Sequence, residues 1–421
     1  MKFLRLGICA LVVFAVASHG AVEEWASAVF ESGAGILFVA WAVRFYFKRK
    51  EEIAISPLLP PLAALALLVV GQWFFRMTTS PYNTRMELSL LLADLVLLFL
   101  AVQAFRTLED WRGFVWFGMG FGFLVSIFSI LQHLTSNGKL YWVREMSYGG
   151  IPFGPYVNRN HFAGFVELVL PLSLAPLVLG KVRRERRLVV GLFAVLPIGA
   201  LFLSASRGGI VSFGVELGVL ALVILLRRNV GKHLLAAGAI LLAALLLVTW
   251  LGVGQIIQRF SSLQGLEVTS GKRASMRRDT WRIFLDHPLI GTGLGTLQIV
   301  YPPYESLYDG KIVNHSHNDY LEALAETGLL GGICCAWFLG VLLSESLKRL
   351  WQLNHSFAGA LQLSGLVACT GFLIHSLVDF NLHIPSNALL FFLMAQLATS
   401  EITPAAPPSA SHRRHPRPQN H

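Results

Sequence analysis

The chain has 421 residues, 54% of them hydrophobic and only 14% charged, and a formal net charge of +10. Soluble domains carry roughly 25% charged residues, so this composition excludes a free globular protein and indicates an integral membrane protein. The four cysteines, Cys9, Cys334, Cys335 and Cys369, all lie in apolar runs, which argues against a disulfide framework or a thiolate metal centre.

Apolar runs of spanning length recur along the chain. They fall near 3–19, 28–47, 53–75, 86–105, 112–134, 162–180, 188–204, 208–226, 233–254, 323–345, 358–378 and 386–400. The runs are continuous, not alternating, so they predict an all-α, polytopic transmembrane helical bundle of about 12 spans and not a barrel. The first run, with Lys2 and Arg5 before Leu6–Val16 and then Ala17, also fits a cleaved signal peptide; we read it as the first helix.

The basic residues set the orientation. Lys2 and Arg5, Arg44 to Lys50, Arg106 with Arg112, Lys181 to Arg187, Arg227 to Lys232, Lys348-Arg349 and Arg413 to Arg417 fall on alternate connections. The positive-inside rule makes that side, and both termini, cytoplasmic. Topology thus explains the net charge, and no nucleic-acid partner is needed. The expected organisation is a transmembrane domain over 1–400 with a large outer loop at about 255–322 between spans nine and ten. A second sizeable outer loop covers about 135–161. The tail 401–421, rich in proline, serine and base, is expected to be a disordered cytoplasmic segment.

The remaining basic residues run against the rule, and they coincide with the polar motifs. VNRNHFAG (157–164), SASRGG (204–209), GKRASMRRDTWRIFLDHPLIGTGLG (271–295), NHSHNDYLEALAETG (314–328) and HSLVDFNLHIP (375–385) all open on the outer side. Arg207 is either an interfacial anchor or a planar fork aimed at a diphosphate, with small neighbours that allow close approach. Arg273 to Asp286 reads as a short amphipathic helix in which Arg273 and Arg277 share a face, as do Arg278 and Arg282. Met276, Trp281, Phe284 and Leu285 supply its apolar side. It suits anionic headgroups or a lipid-linked phosphate equally. GTGLG (291–295) lacks the strand and helix of a phosphate loop and reads as turns.

In the last motif, Ser316 with Asp319 fits a capping box, putting His317 in the first helical turn. Asp319, Glu322 and Glu326 then share a face. Three roles stand open for this cluster: a structural cap, a metal site of H-x-H type with Asp319 and Glu322, and a general base, His317, beside bound phosphate. Glu31, Asp94, Glu167 and Glu216 lie within predicted spans, where acids face a bundle interior or cavity. They serve either a proton relay or helix packing.

Taken together, SRGG on an outer hairpin, the D-H-P-L-x-G-x-G-x-G run and H-x-H-N-D-Y-L-E-x-x-x-E-x-G-L-x-G resemble the O-antigen ligase and polymerase superfamily over about residues 150–385. The resemblance implies a metal-independent, cofactor-free, inverting glycosyltransferase of the multi-helix GT-C type at the periplasmic face of the inner membrane. The implied donor is an undecaprenyl-diphosphate-linked glycan. The acceptor is lipid A-core or, for a polymerase, a second lipid-linked glycan. His317 is implied as the base that activates the acceptor hydroxyl, and Arg207 and Arg273 as the diphosphate clamp, backed by Arg159 and Asn160. His315, Asn318, Asp319, Tyr320, Glu322, Arg277, Arg282, His375 and Asp379 are expected as supporting residues. Where the family often has an aromatic residue, this chain has Arg277, so the helix offers more than one arginine to the phosphate. The alternative from another class, a transporter of lipid-linked sugars, would need a polar path through the bilayer.

Overall fold

The protein was analysed as a computed structural model, which describes residues 1–48, 52–145, 151–226, 238–240, 242–244, 246–247, 249–250, 263–308, 310–352 and 356–402. The helices, in chain order, are α1 (Lys2–Ala17), α2 (Glu24–Phe47), α3 (Leu59–Phe74), α4 (Pro81–Ala104), α5 (Leu108–Leu134), α6 (Arg159–Val169) and α7 (Pro171–Val178). They continue with α8 (Arg187–Ser204), α9 (Arg207–Leu226), α10 (Leu263–Asp286), α11 (Asp319–Gln352), α12 (Phe357–His375) and α13 (Pro385–Thr399). Every expected span coincides with a helix except 233–254, which lies largely outside the described residues, as do the start of the long loop and the tail from 403. Among the described residues, eight candidate helices, one of them α6 and α7 taken together, are long and apolar enough to cross a membrane. No strand forms among the described residues, only isolated bridges. The protein is a multi-pass, all-α bundle.

Local sequence sets the helix ends. Ser80 accepts from the Asn83 N–H and Pro81 opens α4, a position where its missing N–H costs nothing. Thr107 and Asp110 form a reciprocal capping box at the start of α5. On packing, α6, α12 and α13 become the centre: all fifteen residues of α13 are buried, while α2 and α9 present Ile36, Val39, Val211 and Leu222 outward. In a bilayer such exposed apolar faces meet lipid.

The polar motifs gather at one end. His19 Nδ1 lies 3.1 Å from the Pro155 carbonyl, and the Tyr156 hydroxyl donates to Asn387 Oδ1 at 3.0 Å. The Thr79 N–H donates to the Thr292 carbonyl at 2.8 Å. At the opposite end Arg5 pairs with Asp110 and Arg349 with Glu401.

Two segments depart from expectation. The arginine helix α10 runs for 24 residues, beginning well before Arg273. It turns Met276 and Ile283 into a small core with Leu297, Tyr301, Val313 and Ala325, and leaves Trp281 and Leu285 exposed. The tenth span is broken at Gly328, whose φ of 63° and ψ of −164° are not helical. Breaking a helix inside a membrane protein strands backbone groups, which must be paired elsewhere. The HPLIGTG loop does this. Leu329 and Leu330 donate to the Pro288 and Leu289 carbonyls at 2.8 and 3.1 Å, and Thr292 and Gly293 donate to the Ala325 and Glu326 carbonyls at 3.1 and 2.9 Å. Gln72 on α3 donates to the carbonyls of Ile290, at 2.6 Å, and Glu326, at 2.8 Å. Two glycines permit the approach. A Cβ at Gly291 would lie 2.2 Å from the Glu326 carbonyl carbon, and one at Gly328 would lie 2.3 Å from that of Leu289.

Gly291→Ala and Gly328→Ala should therefore each destabilise the protein by about 2 kcal/mol or more, since positive φ and collision with backbone act together. Fluorescence-detected thermal unfolding in detergent checks this, and an unchanged midpoint in both variants would contradict the pairing. For topology, Lys311→Cys in a cysteine-free background should react with an impermeant maleimide from outside intact spheroplasts, while Arg183→Cys should not. Reversed labelling would put the polar end in the cytoplasm.

Candidate functional site

The start of α11 is capped by Asn318, not by Ser316. The Asn318 side-chain oxygen accepts from the Leu321 N–H at 3.0 Å, and α11 begins at Asp319. His317 is thus outside the helix, with a left-handed φ of 53°. Such a φ is uncommon for a residue with a side chain. Nδ1 of His317 lies 3.2 Å from Oδ1 of Asp379. Ser316 instead engages Glu322, its N–H and hydroxyl both donating to Oε2 at 2.8 and 3.1 Å.

Asp379 follows the end of α12 and has no exposure. Besides His317, its Oδ1 accepts from the Phe380 N–H at 2.9 Å, and its Oδ2 accepts from the Asn160 side-chain amide. Burial opposes its charge, but the hydrogen bond and charge of His317, with His161 and His375 beyond, hold the carboxyl far below the usual range.

The HSHND pair of histidines does not converge. His315 stacks on Phe380 with ring centroids 4.2 Å apart, and its Nδ1 is 2.7 Å from Oε1 of Glu322. His383 completes this second cluster. Its Nδ1 is 3.0 Å from Oδ1 of Asp319, and its Nε2 is 3.5 Å from Oε1 of Glu322. Burial lowers the basicity of His383, but the charge of Glu322, the bond to Asp319 and the charge of Asp319 raise it well above the ordinary histidine value. Ligand atoms of His315, Glu322 and His383 lie within 4.8 Å of one another. The metal-type grouping therefore pairs His315 with His383 and leaves His317 out of it. Phe380 also meets the rings of His161 and His317, at 4.8 and 5.1 Å, which keeps the two histidine groups apart.

The arginines reach the same end by different routes. Arg207 is the first residue of α9, after a turn in which Ala205 has φ 49°. Each neighbour in SRGG is constrained. Ser206 accepts from the Gly209 N–H at 3.2 Å, and a Cβ at Gly208 would sit 2.6 Å from His375 Nε2, while one at Gly209 would sit 2.5 Å from Ala163. Arg273 donates from Nη1 to the Val378 carbonyl at 3.1 Å, next to Asp379. Farther along α10, Arg278 donates to Ser306 Oγ at 3.3 Å and Arg282 lies 3.9 Å from Asp279, both turned to the outer loop. Arg277 is half-buried, one turn after Arg273. Arg159 opens α6, and Asn160 behind it receives the Ser206 hydroxyl at 2.9 Å.

Two supporting residues sit deeper. His375 Nδ1 is 2.9 Å from Oε1 of Glu167, both fully buried. Tyr320 donates its hydroxyl to the Leu373 carbonyl at 2.8 Å, tying α11 to α12. The GTGLG loop holds a carboxylate of the chain itself, since the Gly295 and Leu297 N–H groups both donate to Glu326 at 2.8 Å. Sequence reasoning missed Phe380, the pairing of His383 with Asp319 and the tie of Glu326 to the loop. The aromatic between Asp379 and Asn381 was visible as a residue, but nothing in its spacing marked it as a divider.

Residues 192–336 match the family model described as O-antigen ligase. That interval contains Arg207, Arg273, His315, His317 and Glu322, while Arg159, Asn160, His375 and Asp379 reach the site from outside it. No curated protein matches the chain. Members of the matched family are membrane glycosyltransferases that act on lipid-linked glycans. The match over residues 192–336 and the multi-pass bundle support the O-antigen ligase and polymerase superfamily.

Proposed function

We propose that the protein transfers a glycan from an undecaprenyl-diphosphate carrier to an acceptor hydroxyl on lipid A-core, at the periplasmic face of the inner membrane. The observation that carries the chemistry is the contact of His317 Nδ1 with the buried Asp379 carboxylate, at 3.2 Å. A carboxylate only accepts, so the Nδ1 position bears the proton and Nε2 keeps a lone pair. Nε2 removes the proton of the acceptor hydroxyl as its oxygen attacks the anomeric carbon. The bond from that carbon to the diphosphate breaks, and its electron pair passes to the departing phosphate oxygen. A single displacement inverts the anomeric centre and needs no carboxylate nucleophile.

Arg207 and Arg273 stabilise the negative charge that develops on the leaving diphosphate, with Arg159 beside them; fixed guanidinium forks supply this without a metal. Asn160 supports the clamp indirectly, its side chain being engaged by Asp379 and Ser206. Arg273 is favoured over Arg277 because it bonds to Val378, adjacent to the Asp379 that holds the base. The diphosphate then sits at headgroup depth with its polyprenyl tail in lipid.

His317→Ala should fold and bind donor yet lose about 10²–10⁴-fold in transfer rate. Reconstitution with undecaprenyl-diphosphate glycan and lipid A-core, read by mass spectrometry, measures this; wild-type transfer would end the base assignment. His315→Ala acts by another route, loosening Glu322 and the stack on Phe380, and should lower the unfolding midpoint more than the rate. Arg207→Lys and Arg273→Lys should each impair turnover, because lysine keeps the charge and loses the planar fork, whereas Arg277→Ala should be mild. An inactive Arg277 variant beside an active Arg273 variant would move the clamp by one turn. Transfer should persist in EDTA; loss restored by a divalent ion would transfer the chemistry to the His315–Glu322–His383 group.

A further inference from the structure

Three side chains run in series from the SRGG hairpin to the base. The Ser206 hydroxyl donates to Oδ1 of Asn160 at 2.9 Å. The other end of that amide, Nδ2, donates to Oδ2 of Asp379, and Oδ1 of Asp379 faces His317 Nδ1 at 3.2 Å. Ser206 and Asp379 are both fully buried, so water does not readily substitute for either.

Donor and acceptor chemistry allows the series only one direction. Asp379 can only accept, so Asn160 must present its NH₂ there and turn its oxygen to Ser206. The Ser206 oxygen already accepts from the Gly209 N–H at 3.2 Å, and its one proton is left for Asn160. Each member thereby fixes the next. Asn160 holds one oxygen of Asp379, which leaves the other to the Phe380 N–H and His317. Arg207, the clamp arginine, is the very next residue after Ser206.

We propose that Ser206 is a positioning residue for transfer: acting through Asn160, it fixes the orientation of the Asp379 carboxylate and, through it, of His317. It also ties that orientation to the hairpin that presents Arg207. The proposal rests on His317 being the base. Without the hydroxyl, the Asn160 amide loses the bond that anchors its oxygen end, its grip on the carboxylate loosens, and the imidazole loses its fixed direction. Donor affinity, set by the arginines, does not depend on the series.

A double-mutant cycle on the full-length, reconstituted enzyme tests this. Ser206→Ala should lower kcat about tenfold with the donor KM changed less than about twofold, and Ser206→Thr, which keeps the hydroxyl, should restore it. In a His317→Ala background, Ser206→Ala should cost less than about twofold further in the residual rate, because residues that act through one another are not additive. Equal losses in the two backgrounds would overturn the proposal and leave Ser206 as a helix cap. Glycine is tolerated at a helix N-cap, so Ser206→Gly removes the hydroxyl with little effect on α9 and takes the place of the alanine variant if that one does not fold. If neither folds, the hydroxyl is structural and the proposal falls. Full transfer by His317→Ala alone would instead refute the base assignment, a distinct result.

Discussion

A carboxylate with no access to solvent has to be compensated by hydrogen bonds and charge, because leaving one buried and unpaired costs about 3–5 kcal/mol. Asp379 meets this requirement with partners from three separate parts of the chain: Asn160 at the start of α6, Phe380 beside it, and His317 before α11. Arg273 bonds the adjacent Val378 carbonyl, so the arginine helix is brought to the same point. The need to satisfy one buried charge thus fixes the relative position of the segments that carry His317, Asn160 and Arg273.

A second constraint supports the first. His317 turns to Asp379 just before α11 begins, and the first piece of α11 ends at the break at Gly328. The short helical piece 319–327 is held from the other side by the HPLIGTG loop and by Gln72 of α3. Glu326 anchors the loop through the Gly295 and Leu297 amides. Glycines at 291 and 328 matter here because backbone meets backbone, at distances no side chain would tolerate. A motif that looks like a phosphate cradle is in effect a splint for a broken helix.

The two histidine groups show how one short motif serves two purposes. His317 faces the buried carboxylate of Asp379 and lies 25% exposed, so its ring is open to solvent on one side. His315 and His383 share Glu322 and Asp319 and are held in place by charge pairing, with His315 also stacked on Phe380. Deeper in the bundle, Glu167 and His375 pair where neither has water, as acids within a membrane domain do by default. These contacts concern packing between α6 and α12, and they lie behind the reacting end.

The sequence by itself determined the bundle, the grouping of polar motifs at one end and the residues in question. Helices in lipid must satisfy their own backbone, and apolar runs about 20 residues long advertise them plainly. It also marked Arg207, Arg273 and His317, because polar groups beside apolar runs are conspicuous, while Asp379 stood only as a supporting residue within HSLVDFNLHIP. Tertiary structure alone decided how these residues pair. The capping box expected at Ser316 lost to Asn318 because Ser316 was drawn to Glu322, and H-x-H lost its shared role when Asp379, 62 residues on, took His317. The break at Gly328 was likewise set by contacts with distant segments. Spacing along a chain records periodicity within one element; which buried charge is matched by which donor depends on how separate helices meet, and no local pattern encodes that.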